Sequence, residues 1–341
     1  MKKYSIQVTG PEQTSFRCTA SDSVLSSALR AGIGFPYECN SGGCGTCQFE
    51  LLEGELTDLW PDAPGLSPRA RGRGKRLACQ SLPASDCTIK LALQPEMVPV
   101  VAPQRGKLSF VSSRLLTPDM AEFCFRSSAP AEFLAGQFAM ISLPGVAGPR
   151  AYSMSNLPNA AGEWHFVVKR VPDGKGTTVL FDSLLPGAEL GVDAPYGNSY
   201  LRTDNGRDIV CIAGGSGLSP VLSILGEAVR CARLADCRIA LFYGGRGPQD
   251  MCVSELLEAD PLMKERVELY TAISDENAPG AGQWTGERGF VHELVRKTLG
   301  DRIPQFDYYF CGPPPMTDAV HRMLLLDYKV PAKHLHFDRF F

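Results

Sequence analysis

Three cysteines crowd one short stretch, Cys39, Cys44 and Cys47, in the order Cys-x4-Cys-x2-Cys, and Cys79 follows at a distance. Four thiolates spaced in this way are the donor set of a [2Fe–2S] centre. The residues between them suit that chemistry, because glycines stand at 42, 43 and 45. A cluster with net negative charge needs backbone N–H donors wrapped closely around it, and glycine lets the main chain approach. Structural zinc is the rival reading. Zinc sites usually show two short pairs of Cys or His, yet no second short pair flanks Cys79 and the first hundred residues hold no His. The chain has 12 Cys in all, and those inside apolar runs, such as Cys124, Cys211 and Cys311, read as small buried hydrophobes.

Three further groups carry chemistry. Gly214-Gly215-Ser216-Gly217 follows an apolar run and precedes a helical pattern. A nucleotide pyrophosphate fits such a turn, where the backbone can come near and the helix start favours negative charge. It is not the G-x-G-x-x-G fingerprint, and alone it is a weak signal. Cys311-Gly312-Pro313 closes a second apolar run. Ligands of open α/β sheets bind at that end of the strands. Arg150-Ala151-Tyr152-Ser153 joins a guanidinium, a ring and a hydroxyl within four residues. Period two puts Arg150 and Tyr152 on one face of a strand, where an Arg can grip phosphate and a Tyr can lie against a flat ring.

The elements that must position these groups fall into three blocks. In the first, strands are expected at 4–9, 16–19, 48–52 and 88–93, with a short helix from Val24 capped by Asp22 or Ser23. The stretch from Pro95 to Gly106, with three prolines and no periodicity, reads as a semi-rigid linker. The second block is strand-rich, at 107–112, 121–126, 138–143 and 164–171, with a helix-like stretch at 177–185. Such spacing suggests a barrel. The third block alternates strands at 208–213, 238–243, 267–273 and 307–311 with helices at 219–233, 253–259, 289–299 and up to 327. Alternation of this kind means a doubly wound parallel sheet.

Composition bounds the function. The 341 residues suffice for two or three domains, and 44% apolar with 21% charged residues is ordinary for buried cores. Lys+Arg at 34 against Asp+Glu at 37 gives −3, without the basic surplus of a nucleic-acid binder. No apolar run approaches the roughly 20 residues of a membrane span, and Met1-Lys2-Lys3 leads into an alternating pattern rather than a secretory core. A cytoplasmic protein is expected.

Together these pieces resemble the ferredoxin–NAD(P)+ reductase superfamily with a plant-type ferredoxin domain at the N-terminus. Phe35-Pro36-Tyr37-Glu38-Cys39, Leu59 to Leu66 and the ending His336-Phe337-Asp338-Arg339-Phe340-Phe341 look like the reductase components of toluene-4-monooxygenase-type systems. The resemblance covers the whole chain. It implies a β-grasp [2Fe–2S] domain at 1–95, a linker at 96–106, an antiparallel β-barrel FAD domain at 107–204 and a doubly wound NAD domain at 205–341. It also assigns roles: Cys39, Cys44, Cys47 and Cys79 hold the cluster; Arg150 meets the flavin phosphate, Tyr152 the ring system, and Ser153 lies near the flavin N5. Val168 and Lys169 match the next flavin-contacting strand. Gly174, Gly176 and Thr177 match a phosphate turn, and Gly214, Gly215 and Gly217 the dinucleotide turn. Cys311 would sit beside the reacting nicotinamide carbon, with Gly312 and Pro313 following it and Phe341 near the flavin. Ser153 and Cys311 are the residues expected to act in the reaction itself.

The implied activity is conversion of two-electron to one-electron chemistry: a hydride from NADH to FAD, then single electrons through the [2Fe–2S] cluster to a Rieske-type ferredoxin or an oxygenase of aromatic-hydrocarbon catabolism. NADH is preferred over NADPH because the strand ending Gly244-Gly245 carries one Arg, Arg246, rather than a basic cluster. FAD over FMN rests on the resemblance. A ring-hydroxylating dioxygenase as client, and a redox-sensing iron–sulfur flavoprotein, are the alternatives. Arg69, Arg71, Arg73, Lys75 and Arg76, just before Cys79, read either as a solvated loop or as a patch that steers an acidic partner.

Overall fold

The computed structural model describes residues 2–11 and 13–339. The chain divides into two compact units. One comprises Met1–Gly106, Ala139–Ala151 and Val192–Asn198; the other comprises Lys107–Phe138, Tyr152–Gly191 and Ser199–Phe341.

In the first unit, β1 (Lys3–Thr9) and β2 (Thr14–Thr19) form a hairpin, and α1 (Val24–Arg30) follows. Ser23 caps α1, its hydroxyl accepting from Ser26 N–H. After the cysteine loop come β3 (Gln48–Glu53), β4 (Leu56–Asp58), α2 (Pro68–Gly72), β5 (Lys75–Leu77), β6 (Ser81–Pro83) and β7 (Cys87–Lys90). The five-stranded sheet has the order β2-β1-β7-β3-β5. β1 and β7 run parallel, with Ile6 opposite Cys87. One parallel central pair flanked by antiparallel strands, with a helix on one face, is the β-grasp arrangement that the first block leads one to expect. The strand expected at 88–93 stops at Lys90, and the short strands β4 to β6 escaped the pattern reading because three residues carry no periodicity.

The barrel strands are β8 (Gln104–Thr117), β9 (Met120–Arg126), β10 (Phe138–Ser142), β11 (Arg150–Ser153), β12 (Glu163–Lys169) and, after the four-residue helix α3 (Lys175–Thr178), β13 (Glu189–Tyr196). Their order is β11-β10-β13-β8-β9-β12. Within the second unit, β8–β9 and β9–β12 are antiparallel. β8 begins at Gln104, inside the stretch read as linker.

The rest of the second unit is β14 (Ile209–Gly214), α4 (Leu218–Arg230), β15 (Ile239–Gly245), α5 (Val253–Glu258), α6 (Pro261–Arg266), β16 (Val267–Ile273), β17 (Glu287–Arg288), α7 (Val291–Leu299), β18 (Asp307–Gly312), α8 (Pro314–Arg322) and β19 (Leu335–Arg339). The sheet order is β17-β16-β15-β14-β18-β19, parallel throughout. β14 and β18 are buried at every position, as strands covered by helices on both faces must be. One face packs on α4 to α6 through Val221, Leu225 and Leu257, the other on α7 and α8 through Val295 and Val320. The order reverses direction between β14 and β18, which makes the crevice beyond their carboxyl ends the ligand-binding edge. Among the described residues, no helix is long and apolar enough to cross a membrane.

Candidate functional site

The cysteine loop connects α1 to β3 and turns through two glycines in the left-handed region, Gly42 and Gly45. A Cβ on Gly45 would stand 2.5 Å from the Gly65 carbonyl oxygen, so only glycine fits. Gly65 in turn donates to Gly42 O at 2.9 Å, and its carbonyl accepts from Gln48 Nε2 at 3.0 Å. The segment around Gly65 is therefore a brace that fixes the loop from behind. Inside the loop, main-chain donors face sulfur: Ser41 and Cys44 N–H donate to Cys39 Sγ, each at 3.4 Å, and Thr46 N–H to Cys44 Sγ at 3.4 Å. Gln80 Nε2 donates to Cys79 Sγ at 3.6 Å. A hydrogen bond with Cys44, together with the donors at Ser41, pulls the Cys39 thiol down to about 4, and Cys79 lowers Cys47.

The four sulfurs are grouped as pairs. Cys47 and Cys79 lie 3.4 Å apart, and Cys39 interacts with Cys44. No three of them converge within 4.8 Å of one another, and among the described residues only Glu122, Cys124 and His165 do so. A single tetrahedral zinc would draw all four together. Two pairs suit two metal ions side by side, and loop donors aimed at sulfur suit a charged cluster.

In the second unit, Tyr152 stacks edge-on to Phe166, with centroids 6.4 Å apart. Ser153 is buried, and its carbonyl accepts from Ser219 Oγ at 2.7 Å. The same Oγ accepts from Val167 N–H at 2.9 Å. Ser219 thus ties β11 to β12 from the first turn of α4, and Ser223, one turn on, donates to Asn156 O at 2.7 Å. Sequence reasoning missed both. Their signal was two hydroxyls four residues apart within the otherwise apolar first two turns of the helix, and both are fully buried. Val168 is buried beside them. Lys169 Nζ lies 3.2 Å from Asp119 Oδ2, and its stem runs within 3.4 Å of where a Cβ on Gly215 would stand. Lys169 and the glycine turn are thus brought together.

Gly174 caps the start of α3 and Gly176 lies within it, and a Cβ on Gly174 would meet Thr177 Oγ1 at 2.8 Å. That hydroxyl accepts from Val171 N–H at 3.1 Å and donates to Gly174 O at 3.1 Å. Arg150 has its guanidinium folded onto its own turn, donating to Ala147, Gly148 and Pro149 carbonyls at 3.0 to 3.2 Å. Phe341 lies outside the described residues.

At the crevice, Gly214-Gly215-Ser216-Gly217 leads from β14 into α4. Gly217 has ordinary helical φ, yet a Cβ there would fall 2.0 Å from Cys311 O. Its smallness lets two turns touch. Gly312, next along at φ 152, faces Gly214 O and Met316, and Pro313 caps the start of α8. Cys311 is 4% exposed; its Sγ donates to Asp338 O at 3.4 Å, and burial pushes the thiol well up. Ser199, Tyr309, His336 and Asp338 line a small pocket beside it. His336 stacks on Tyr309, while its buried Nε2 finds no hydrogen-bond partner among the described residues.

Three family profiles match the chain in succession. The profile of the 2Fe-2S iron-sulfur cluster binding domain matches residues 8–84, that of the oxidoreductase FAD-binding domain 107–200, and that of the oxidoreductase NAD-binding domain 211–322. A ferredoxin–NAD(P)(+) reductase, CarAd, of Metapseudomonas resinovorans is 42% identical, with 99% of this chain and 100% of that protein covered. The chain belongs to the ferredoxin–NAD(P)+ reductases. The ferredoxin–NAD(+) reductase component of the alkene monooxygenase system of Xanthobacter autotrophicus is 39% identical to it over 96% of this chain and 98% of that one. A solved structure, the ferredoxin reductase in carbazole 1,9a-dioxygenase, superposes with TM-score 0.89 at 39% identity, covering 100% of both chains. This reductase is therefore an oxidoreductase with domains for a [2Fe–2S] cluster, FAD and a nicotinamide dinucleotide.

Proposed function

We propose that this reductase oxidises NADH and delivers single electrons to the Rieske-type ferredoxin or the oxygenase of a multicomponent aromatic monooxygenase. FAD, held by the residues named below, would supply an acceptor for one hydride, which carries two electrons, and the [2Fe–2S] cluster a one-electron relay. The observation that carries the reading is the meeting of the Gly214–Gly217 turn with Cys311 at the β14–β18 crevice. The backbone there offers the dinucleotide a close approach, and the buried Cys311 and Ser153 bound the space for the nicotinamide and flavin rings.

The domain limits that go with this reading are 1–95 for the cluster, 96–106 for the linker, 107–204 for FAD and 205–341 for NADH; the three profile matches fall inside them. Cys39, Cys44, Cys47 and Cys79 ligate the irons. Arg150, Tyr152, Ser153, Val168, Lys169, Gly174, Gly176, Thr177 and Phe341 serve the flavin; Gly214, Gly215, Gly217, Gly312 and Pro313 serve the dinucleotide. A second reading takes a ring-hydroxylating dioxygenase as client, favoured by the full-length likeness to the carbazole dioxygenase reductase.

The test is the absorption spectrum of the purified protein before and after anaerobic NADH. Flavin and iron–sulfur bands should bleach together. Flavin bleaching with iron–sulfur bands unchanged would break the proposed relay, and a colourless, zinc-containing protein would end the reading at the cluster.

A further inference from the structure

The outer face of the flavin barrel holds a triad that the reductase chemistry does not use. His165 on β12 stands directly opposite Cys124 on β9. Its main chain turns away from β9, with His165 N–H donating to Asn156 Oδ1 at 3.0 Å and its carbonyl accepting from Ser155 N–H at 2.8 Å. The two residues therefore form a non-hydrogen-bonded cross-strand pair, the kind whose Cα atoms lie about 4.5 Å apart and whose side chains are closest. Glu122 lies two residues before Cys124 on the same face. Phe123, Phe125, Trp164 and Phe166 fill the opposite, inner face, so nothing in the core competes for these three groups.

One ligand atom from each residue lies within 4.8 Å of the others. His165 Nδ1 and Glu122 Oε1 are 3.7 Å apart, too long for a hydrogen bond. That separation is close to the edge of a metal tetrahedron, where bonds of about 2.0–2.1 Å put two ligands roughly 3.4 Å apart. Arg114 on β8 takes the other carboxylate oxygen at 3.1 Å and so orients Oε1 toward the triad, as outer-shell partners of metal ligands do. The side chains of Glu122 and His165 are 19% and 31% exposed, sheltered enough to be held and open enough for an ion to enter.

We propose that Glu122, Cys124 and His165 form a binding site for one Zn2+-class divalent ion on the outer face of the barrel. The mixed sulfur, nitrogen and oxygen donor set is that of a borderline-soft ion. Three protein ligands leave the fourth position to water or to an exogenous donor.

The experiment uses the holoenzyme with flavin and cluster loaded, titrated with ZnCl2 in a non-chelating buffer and followed by calorimetry and by metal analysis after desalting. The expected result is one bound zinc per chain at unchanged iron content, weakened tenfold or more in Cys124→Ser and in His165→Gln, and less in Glu122→Gln. Equal zinc binding in the wild type and these variants, or no retained zinc, overturns the site. Should a variant lose its cofactors, the wild type alone decides. Zinc must slow alkylation of Cys124, read by peptide mass spectrometry, and unchanged labelling overturns the proposal equally.

Discussion

At the residue scale, charge around Arg246 bears on the choice of dinucleotide. Arg246 follows β15, where a ribose is recognised in doubly wound sheets, but it is not free to meet a 2′-phosphate. Its Nη2 binds Asp119 Oδ2 at 2.8 Å, and Asp250 Oδ2 takes its N–H at 2.8 Å and Nε at 3.2 Å. The two carboxylates both occupy the guanidinium and repel a dianion. Asp119→Asn should raise the ratio of kcat/KM for NADPH over NADH about tenfold, roughly 1.4 kcal/mol; an unchanged ratio would clear Asp119 of a part in selection. His336 carries a pH dependence. Burial lowers its pKa to about 4, below the roughly 6.5 of an unfolded chain. The unfolded state thus takes up a proton that the folded state refuses. The stabilisation is complete above pH 6.5 and fades as pH falls toward 4, by about 3 kcal/mol in all. In His336→Phe, denaturant unfolding should lose less stability between pH 6.5 and 4 than the wild type does.

At the scale of elements, the turn after β14 separates two demands made on glycine. Gly215 has φ 55 and near-open space, so Ala there costs about 1–2 kcal/mol of backbone strain. Gly217 needs no unusual backbone, but its neighbour is main chain that no rotamer change can move. Gly217→Ala should lower the thermal midpoint and weaken NADH binding well beyond what Gly215→Ala does, through overpacking of more than about 2 kcal/mol; equal effects would mean that the β14 and β18 turns give way easily. The same elements show what can be read without a structure. The cysteine loop and the strand–helix alternation of the last block are local patterns, and they stand where the sequence puts them, β16 to the residue. β13 was missed because Asp193 and Pro195 interrupt its alternation. The brace around Gly65 and the hydroxyls of Ser219 and Ser223 were missed because their partners are remote in the chain. Glu122, Cys124 and His165 become a group only once the register of β9 on β12 is known.

At the scale of the whole molecule, the basic run before Cys79 is less free than its composition suggests. Arg71 lies 2.6 Å and Arg76 4.0 Å from Asp58, and Lys75 is 3.8 Å from Glu50. Arg69 and Arg73 are exposed. Replacing Arg69, Arg73 and Lys75 by Gln should slow reduction of an acidic electron acceptor several-fold at low salt and flatten its salt dependence, with NADH oxidation by a small artificial acceptor unchanged. Stopped-flow rates across a salt series decide it, and parallel salt slopes for variant and wild type would remove the patch from partner encounter.

The neighbours β14 and β18 are joined in space, with Ile209 beside Asp307, yet everything from α4 to α7 lies between them in the chain. The edge that receives the dinucleotide is therefore a late product of synthesis. A growing chain already has its cysteine loop and barrel strands before Cys311 has been translated. Until β18 slots in beside β14, no crevice exists for a reductant to enter. Long-range parallel pairing of this kind is slow to form. In a reductase with a nicotinamide-dinucleotide domain, a chain that ends before β18 lacks one wall of that crevice.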